Sequence, residues 1–386
     1  MKAIVTGMIA TYPVGGVVWD YAQYIIGLHE LGFEVYYLED TGSPTYNPIA
    51  GLYGDDRAYS LEFLSLSLES MLPGMGGRWH FRAMDDRTYG LSAKDFGDIL
   101  AESDLFLNIS GGTLMRPEYM HSRRKALVDS DPGLNHFVNY PKWDKNPGWL
   151  GTKGFRAHDF FFTYAERIGK SDCPLPSFDL PWIPTRPPVA SGKWSSLPPG
   201  DIWTTVMTWD NFRKPIQHGE QSYGSKELEF PRIERIPSRV HAPVELAIGG
   251  NHAPREHWKS LGWSVVESHA VSATTHDYHR YVCSSRGEFS VAKNIYVATR
   301  CGWFSCRSVC YLAAGRPVVI QDTGFSEIIP CGDGVLPFTS LETAVDAINR
   351  VERNYAAHQA AARSLALEYF DCRKVIPELL GHIELN

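Results

Sequence analysis

The sequence predicts an α/β protein of two domains, each built on a doubly wound parallel sheet, that face each other across a central cleft. Short apolar runs that end in Gly or Asp alternate with helical patterns in both halves, which is typical of parallel strands joined by helices. The chain has 386 residues, too many for one ordinary hydrophobic core. A proline-rich segment separates the two sets of strands.

The first half opens with a strand, a glycine loop, a helix and a second strand. The strand KAIVT precedes a loop with Gly15 and Gly16, an amphipathic helix pattern from Val18 to Leu31, and the strand EVYYLED. This order predicts a right-handed parallel crossover. Further strands of this half are predicted at DLFLNIS (104–110), KALVDSD (125–131) and HDFFFTY (158–164).

The proline-rich segment 172–200 lacks many backbone donors and therefore blocks helices and central strands. We assign a first domain to residues 1–190, a linker to 191–200 and a second domain to 201–365. Residues 366–386 are expected to form a C-terminal helix that packs back toward the first domain. Strands of the second domain are predicted at 202–209, 244–250, 264–268, 288–294 and 316–322.

The composition is that of a folded globular protein, with 44% hydrophobic and 21% charged residues. The net charge is −7 with both signs scattered, so we expect binding neither to nucleic acid nor to an anionic membrane. The first segment is too short for a signal-peptide core, and no apolar run approaches the roughly 20 residues of a membrane span. We therefore expect a cytoplasmic protein.

Seven cysteines form no disulfide framework, which favours reduced thiols. The densest group is Cys301, Cys306 and Cys310, but neither a CxxC pair nor a convergent histidine accompanies it. We expect packed thiols there and no metal site.

The segment GEFSVAKNIYVATRCGWFSCRSVCYLAAGRPVVIQDTGFSEII (287–329) carries the clearest chemistry. A predicted strand ends near Lys293, and a helix begins near Ser305 and ends at Gly315. A helix N-terminus presents unpaired N–H groups and partial positive charge, which suits a diphosphate. The side chains predicted to assist it are those of Lys226, Lys293, Ser305, Arg307 and Ser308.

This segment resembles the donor-binding segment of GT-B glycosyltransferases of the family 1 and family 4 type. Members carry a helix, a small residue, Gly-x-Pro-Val-Val and a glycine loop that ends in Glu, matched here by AAGRPVV and DTGFSEII. The ending ARSLALEYFDCRKVIPELLGHI is similar to their closing helices, and the Gly15-Gly16 loop to their N-terminal glycine loop. The resemblance adds a further set of donor contacts: Gly15, Gly16, Gly302, Trp303, Thr323, Gly324, Phe325, Ser326 and Glu327.

The resemblance implies two Rossmann-like domains in the GT-B arrangement and a bacterial-type hexosyltransferase that uses a nucleotide diphosphate sugar such as a UDP-sugar. It implies no cofactor, and the acceptor is not predicted. One position departs from the pattern: many members place a Glu five residues before the helix-ending Gly, and here that residue is Cys310. Aligned on the Gly-Trp instead, the position is Ser308.

Sugar transfer by inversion needs a base for the acceptor proton. Asp131 follows a predicted strand and precedes a Pro-Gly turn, so we expect its carboxylate to face the cleft. Asp20, one helical turn after the glycine loop, is a weaker candidate, and His158 is interpreted as structural. The matched segment contains no DxD pair of carboxylates, so metal dependence is not expected.

Three other classes of protein share parts of this pattern. A dinucleotide-dependent oxidoreductase would need G-x-G-x-x-G after the first strand, and that loop has only Gly15 and Gly16 together. A sugar-nucleotide epimerase of the same fold and a non-catalytic nucleotide-sugar-binding protein both remain open, since each would share the donor site.

Overall fold

The computed structural model describes residues 1–54, 57–145, 154–194, 197–209 and 214–385. Its first half contains an eight-stranded sheet in the order β10-β9-β8-β7-β1-β2-β5-β6, and β3 and β4 form a separate hairpin. The strands of this half are β1 (Lys2–Thr6), β2 (Glu34–Glu39), β3 (Thr45–Asn47), β4 (Leu52–Gly54), β5 (Trp79–Arg82), β6 (Thr88–Gly90), β7 (Leu105–Ile109), β8 (Lys125–Asp129), β9 (Phe160–Thr163) and β10 (Trp182–Pro184). Its helices are α1 (Gly15–Glu30), α2 (Ala58–Met71), α3 (Ala93–Glu102) and α4 (Tyr140–Lys145).

The second half contains a six-stranded sheet in the order β15-β14-β11-β16-β17-β18, with every strand pair parallel. Its strands are β11 (Trp203–Thr208), β12 (Ile216–His218), β13 (Gln221–Tyr223), β14 (Val244–Gly249), β15 (Ser264–Glu267), β16 (Gly287–Ser290), β17 (Val318–Gln321) and β18 (Val335–Phe338), of which β12 and β13 form a hairpin. Its helices are α5 (Arg255–Ser260), α6 (Ser268–Ser272), α7 (Thr275–Ser284), α8 (Asn294–Thr299), α9 (Cys306–Ala313), α10 (Leu341–Arg353), α11 (Tyr355–Leu365) and α12 (Cys372–Ile383).

The apolar runs become strands because both faces of each sheet are covered. Every residue of β7, β8, β16 and β17 is buried, as expected of central strands in a parallel sheet. The predicted α/β class with two doubly wound sheets is confirmed, and the one antiparallel pair described in these sheets is β5–β6 at the edge of the first. The strands of the first sheet lie within residues 1–190 and those of the second within 201–365.

The predicted linker, 191–200, begins with a short 3₁₀ turn at Ser191–Lys193. Its residues 195 and 196 lie outside the described part of the chain. The chain returns to the first half at its end: the Val189 amide donates to the Phe370 carbonyl (2.7 Å), and α12 packs on α1 where Gly27 meets Ile376. None of the helices in the described ranges is both long and apolar enough to cross a lipid bilayer.

Helix α1 connects the two halves directly. A Cβ atom on Gly15 would lie 2.1 Å from the Thr274 carbonyl oxygen, and one on Gly16 would lie 3.1 Å from the Tyr278 ring. Trp19 donates from Nε1 to the Thr275 carbonyl (3.1 Å). These glycines therefore serve the close approach of α1 to the N-terminus of α7.

We predict that Gly15→Ala destabilises the protein by about 1–3 kcal/mol, because the added methyl group forces α1 away from the Thr274 carbonyl. Thermal or urea unfolding of the purified variant measures this. Gly97→Ala in α3 is the matched control: nothing lies within 4 Å of its Cβ position, so the variant should gain about 0.5–1 kcal/mol. Equal stability of the two variants would contradict the close-approach role of Gly15.

Candidate active site in the interdomain cleft

Each sheet has one point where the strand order reverses. In the first sheet β1 separates β2 from β7, and in the second β11 lies between β14 and β16. Ligands of open α/β sheets bind in the crevice outside the carboxyl ends of strands at such points. A cavity of about 910 Å³ lies at these strand ends, between the two halves of the chain. Residues that follow β1, β7 and β8 line it from the first half, and residues between 293 and 306 line it from the second.

The N-terminus of α9 forms one wall of the site. Ser305 caps it, since its Oγ accepts a hydrogen bond from the Arg307 amide (3.2 Å). Ser308, one turn further, is fully buried, and its Oγ has no hydrogen-bond partner among the described residues. A smaller cavity of about 20 Å³ lies beside this turn and is lined by Trp303, Ser305, Arg307, Ser308, Thr323 and Phe325, among others.

The guanidinium of Arg307 is held inside the second domain. It donates from Nε to Glu288 (2.5 Å), from Nη1 to the Val206 carbonyl (2.8 Å) and from Nη2 to the Ser290 hydroxyl. The Glu288 carboxylate is completely buried. Arg307 therefore joins the first turn of α9 to β11 and β16. Because its N–H groups are already used in these hydrogen bonds, its side chain contributes charge to the site and few free hydrogen-bond donors.

Lys226 is the least compensated cation of the site. Its side chain is buried, and among the described residues its Nζ has one hydrogen-bond acceptor, the Thr208 carbonyl at 3.3 Å. Burial lowers the pKa of Lys226 well below its usual value, and the nearby charges of Arg307 and Lys293 lower that pKa further. An anion that bound beside Lys226 would relieve this repulsion.

Lys293 connects the two domains through Asp131. Its Nζ donates to one carboxylate oxygen of Asp131 (2.7 Å), and the Tyr296 hydroxyl donates to the other oxygen. The Trp303 ring stacks on Tyr296 with centroids 4.3 Å apart and donates from Nε1 to the Ser130 carbonyl (3.1 Å). Asp131 lies at the cleft as its sequence position predicts, but both of its oxygens are already hydrogen-bonded.

Asp20 lies on α1 at the opposite wall and lines the same cavity. Desolvation raises the pKa of Asp20 to about 6, and a hydrogen bond from the Cys306 thiol and the charge of Arg307 limit the rise. A carboxyl group with a pKa near neutral exchanges protons readily at physiological pH. Asp20 therefore combines access to the cleft with the titration expected of an acid or base.

Several residues predicted to contact a donor, including Lys226, do not line either cavity. Gly15 and Gly16 are covered by α7, and a Cβ atom on Gly302 would lie 2.9 Å from Arg167. Gly324 and Ser326 donate to the Asp322 carboxylate. Each has a structural contact in place of an open face toward the cleft.

Glu327 also points away from the cleft cavities. Its carboxylate pairs with Arg167 (2.9 Å) of the first half and with Arg300 of the second. Asp172 completes the cluster by accepting from both arginines. Glu327 thus joins the two domains. Thr323 and Phe325 line the smaller cavity, although the Thr323 hydroxyl donates to the Trp303 carbonyl (2.6 Å) and Phe325 packs on Phe304.

The first-domain wall contains polar residues that the sequence analysis did not identify, namely Thr11, Tyr12, Tyr21, Asn135, Asn139 and Tyr164. Asn135 and Asn139 are four residues apart in a π-helical turn that follows Asp131, and the Asn139 amide donates to Asn135 (2.7 Å). Two Asn residues four positions apart, shortly after Asp131, are the sequence feature that could have identified this wall. The Thr11 loop is fixed by Glu39, whose carboxylate accepts from the Ala10 and Thr11 amides.

Among the ranges that the structure describes, no group of three His, Cys, Asp or Glu side chains converges to hold a metal ion. The seven cysteines are free thiols.

No protein-family model and no curated protein matches the chain. Solved structures do match it over almost its whole length. AviGT4, a glycosyltransferase involved in avilamycin A biosynthesis, is 14% identical with a TM-score of 0.56, and the match covers 100% of this chain and 97% of AviGT4. An α-glucosyltransferase in complex with UDP-glucose and DNA containing an abasic site is 9% identical with a TM-score of 0.60, over 99% of each chain.

HepE of Anabaena, in complex with UDP and glucose, is 10% identical with a TM-score of 0.57, over 99% of this chain and 98% of HepE. The chain therefore has the GT-B fold, two Rossmann-like domains that face a cleft, which confirms the resemblance seen in residues 287–329 at the level of the fold.

We predict that Asp20→Asn raises the thermal unfolding midpoint at pH 8 but not at pH 4. The folded-state pKa of Asp20 (about 6) lies above the usual aspartate value of 3.8, so stability falls as pH rises from about 4 to 6. Asn carries no charge, and the variant should be more stable above pH 6 by up to about 3 kcal/mol. Asp346→Asn, at an exposed position of α10, is the control and should show no such pH dependence. A pH-independent effect at Asp20 would argue against a desolvated carboxylate.

Proposed function

We propose that the protein is a glycosyltransferase that moves a hexose from a nucleoside diphosphate sugar to an acceptor in the interdomain cleft. The observation that carries the proposal is the convergence of Lys226, Lys293 and Arg307 beside the N-terminus of α9, at the carboxyl edge of the second sheet. A helix N-terminus and adjacent cations together form an anion site. A diphosphate is the anion that such a site suits best.

The charges of the site support a strong anion as ligand. Arg307 is paired with Glu288 and Lys293 with Asp131, whereas Lys226 has no carboxylate partner among the described residues. The buried Ser308 hydroxyl adds a donor without a described partner in the adjacent small cavity. When a sugar is transferred, the leaving diphosphate gains negative charge, and fixed positive charge there lowers the barrier.

We propose UDP as the nucleotide, because two of the solved structures with this fold are complexes with UDP-glucose or with UDP and glucose. We further propose that the reaction needs no metal ion, since Lys226, Lys293 and the α9 N-terminus supply the charge that a cation would otherwise supply.

We propose Asp20 in place of Asp131 as the catalytic carboxylate. Asp131 already accepts a hydrogen bond on each carboxylate oxygen, from Lys293 and from Tyr296, so an acceptor hydroxyl would have to share one of these oxygens. Asp20 faces the cavity from the first domain, with a pKa raised by desolvation to about 6. A base in this range is partly ionised at neutral pH and takes up an acceptor proton efficiently.

We predict that UDP binding takes up protons at pH values between the lowered pKa of Lys226 in the free protein and its higher pKa in the complex, and that Lys226→Met abolishes this uptake. The lowered pKa of Lys226 in the free protein rises when a diphosphate replaces the repulsion of Arg307 and Lys293 with attraction. UDP affinity should consequently fall as pH increases. Titration calorimetry in two buffers of different ionisation enthalpy measures the proton count.

Lys226→Met should also weaken UDP binding about tenfold or more, as loss of a hydrogen bond to a charged group does. The matched control is Lys170→Met, at an exposed position outside the cleft, which should change neither proton uptake nor affinity. Unchanged proton uptake in the Lys226 variant would contradict its contact with the diphosphate.

We predict that the protein releases UDP from UDP-glucose in the presence of a chelator, and that Asp20→Asn slows this about 10²–10⁴-fold while UDP affinity stays within a factor of two or three. A coupled UDP-release assay and calorimetry give the two readouts, and Asp346→Asn is the control. Epimerised donor without any acceptor would favour an epimerase of this fold. Tight UDP binding with no turnover on a broad acceptor panel would favour a non-catalytic binding protein.

A further inference from the structure

An apolar surface lies at the mouth of the cleft on the side of the first domain. It is formed by Tyr12, Ile49, Leu52 and Tyr53, whose exposed fractions are 37%, 73%, 67% and 55%. We call these four residues the hairpin patch, since three of them belong to the β3–β4 hairpin and its turn.

The hairpin patch is continuous with the cleft. Tyr12 lines the large cavity and also packs against Tyr53 edge to face, with ring centroids 6.3 Å apart. Tyr53 in turn packs on Tyr46 at 5.0 Å. The hairpin is attached to the same loop, because the Tyr46 amide donates to the Thr11 carbonyl (2.9 Å). A molecule that extends out of the cleft past Tyr12 therefore meets the hairpin.

Polar groups of the hairpin turn form hydrogen bonds with one another. The Asn47 side chain accepts from the Ile49 and Ala50 amides (3.0 and 3.1 Å), and its backbone carbonyl accepts from the Gly51 amide (2.8 Å). What the hairpin turn presents outward is therefore mainly aliphatic and aromatic surface. Such surface favours burial against an apolar group over the hydrogen bonding that an oligosaccharide needs.

The charge of the hairpin indicates which kind of molecule the hairpin patch can bind. Residues 41–54, TGSPTYNPIAGLYG, contain no Lys, Arg, Asp or Glu, and Asp55 and Asp56 follow directly in the sequence. A membrane-binding or phosphate-binding surface attracts its anionic partner with Lys and Arg, and this segment has the opposite balance. Four side chains also bury too little area for a stable dimer, which needs roughly 800 Å² on each partner.

We propose that the hairpin patch binds an uncharged apolar part of the acceptor, an aliphatic or aromatic aglycone, while the hydroxyl that receives the sugar lies in the cleft near Asp20. The inference rests on the proposed glycosyltransferase function and adds the chemical class of its acceptor. Tyr12 is the residue that joins the two parts of this acceptor site, since it belongs both to the cavity and to the patch.

The test uses three probes at concentrations below micelle formation: octyl β-D-glucoside, sodium octyl sulfate, which has the same chain with a negative charge, and maltotriose, which has no apolar tail. Calorimetry or ligand-observed NMR with the full chain gives each dissociation constant. We expect octyl glucoside to bind about tenfold more tightly than maltotriose or octyl sulfate, as burial of part of an alkyl chain predicts.

The double variant Leu52→Ser/Tyr53→Ser should lose about tenfold in affinity for octyl glucoside. Leu367→Ser, at another exposed apolar position, is the control and should lose none. Because both altered side chains are more than half exposed, the melting temperature should fall only slightly, through loss of the Tyr53 ring contacts. Equal binding by the double variant, preference for maltotriose or octyl sulfate, or co-sedimentation of the wild type with phosphatidylcholine–phosphatidylglycerol vesicles would overturn the proposal.

UDP binding, measured on the same samples, separates the two inferences. The double variant should bind UDP as the wild type does, because the hairpin lies on the domain opposite α9. The protein could bind octyl glucoside through Leu52 and Tyr53 and yet fail to bind UDP. That result would refute the proposed donor site and still support the apolar acceptor site. UDP binding without binding of octyl glucoside would overturn the hairpin proposal alone.

Discussion

The buried ion pair between Arg307 and Glu288 is the constraint on which the site depends. A carboxylate with no exposed surface is tolerated only if it is paired and hydrogen-bonded, and Arg307 provides this while also donating to Val206 and Ser290. The same residue occupies the first turn of α9, so the helix begins at a fixed place relative to the ends of β11 and β16. Removing either partner would leave an uncompensated charge inside the second domain.

Fixing Arg307 has consequences for its neighbours on both sides of the cleft. Its charge lowers the pKa of Lys226, which is already depressed by burial, and it limits the rise in the pKa of Asp20. Desolvation thus acts on a lysine and an aspartate of the same cleft in opposite directions, and both become more nearly neutral than they would be in water. Such pairs of displaced pKa values are characteristic of sites that bind anions and transfer protons.

The sequence sufficed for the fold because periodicity and glycine positions are local. Buried strands such as β7 and β17 are visible in the sequence as apolar runs. The start of α9 is predicted by Gly302 and Ser305. The sheet strands β5, β6, β10 and β18 and the hairpin strands β3, β4, β12 and β13 were not predicted. Each has only three or four residues, and β10 and β18 contain Pro184 and Pro337.

The site was harder to predict because side-chain partners come from distant parts of the chain. Glu327 has a sequence position suited to a ligand contact, but Arg167, 160 residues earlier, pairs with it. Gly15 and Gly16 resemble a phosphate loop, yet Thr274 and Tyr278 of the other domain lie against them. The raised pKa of Asp20 depends on burial between domains, which no local pattern records. Lys293 follows β16 of the second sheet, so its place at the sheet edge agrees with the rule that parallel strand ends meet there, whereas Lys226 lies in a 3₁₀ turn after the separate β12–β13 hairpin.

The packing of α1 against α9 also explains why Cys310 stands where many GT-B glycosyltransferases have a Glu. Cys310 is almost fully buried, with Gln23 of α1 donating to its Sγ (3.7 Å), and its thiol donates to the Cys306 carbonyl (3.2 Å). A glutamate at this position would bring a second carboxylate close to Asp20, with no described cation free to compensate it, and like charges in a desolvated site repel strongly. The described carboxylates nearest Cys310 are therefore Asp20 of α1 and Glu288 of β16, one from each domain, and Glu288 is already paired with Arg307.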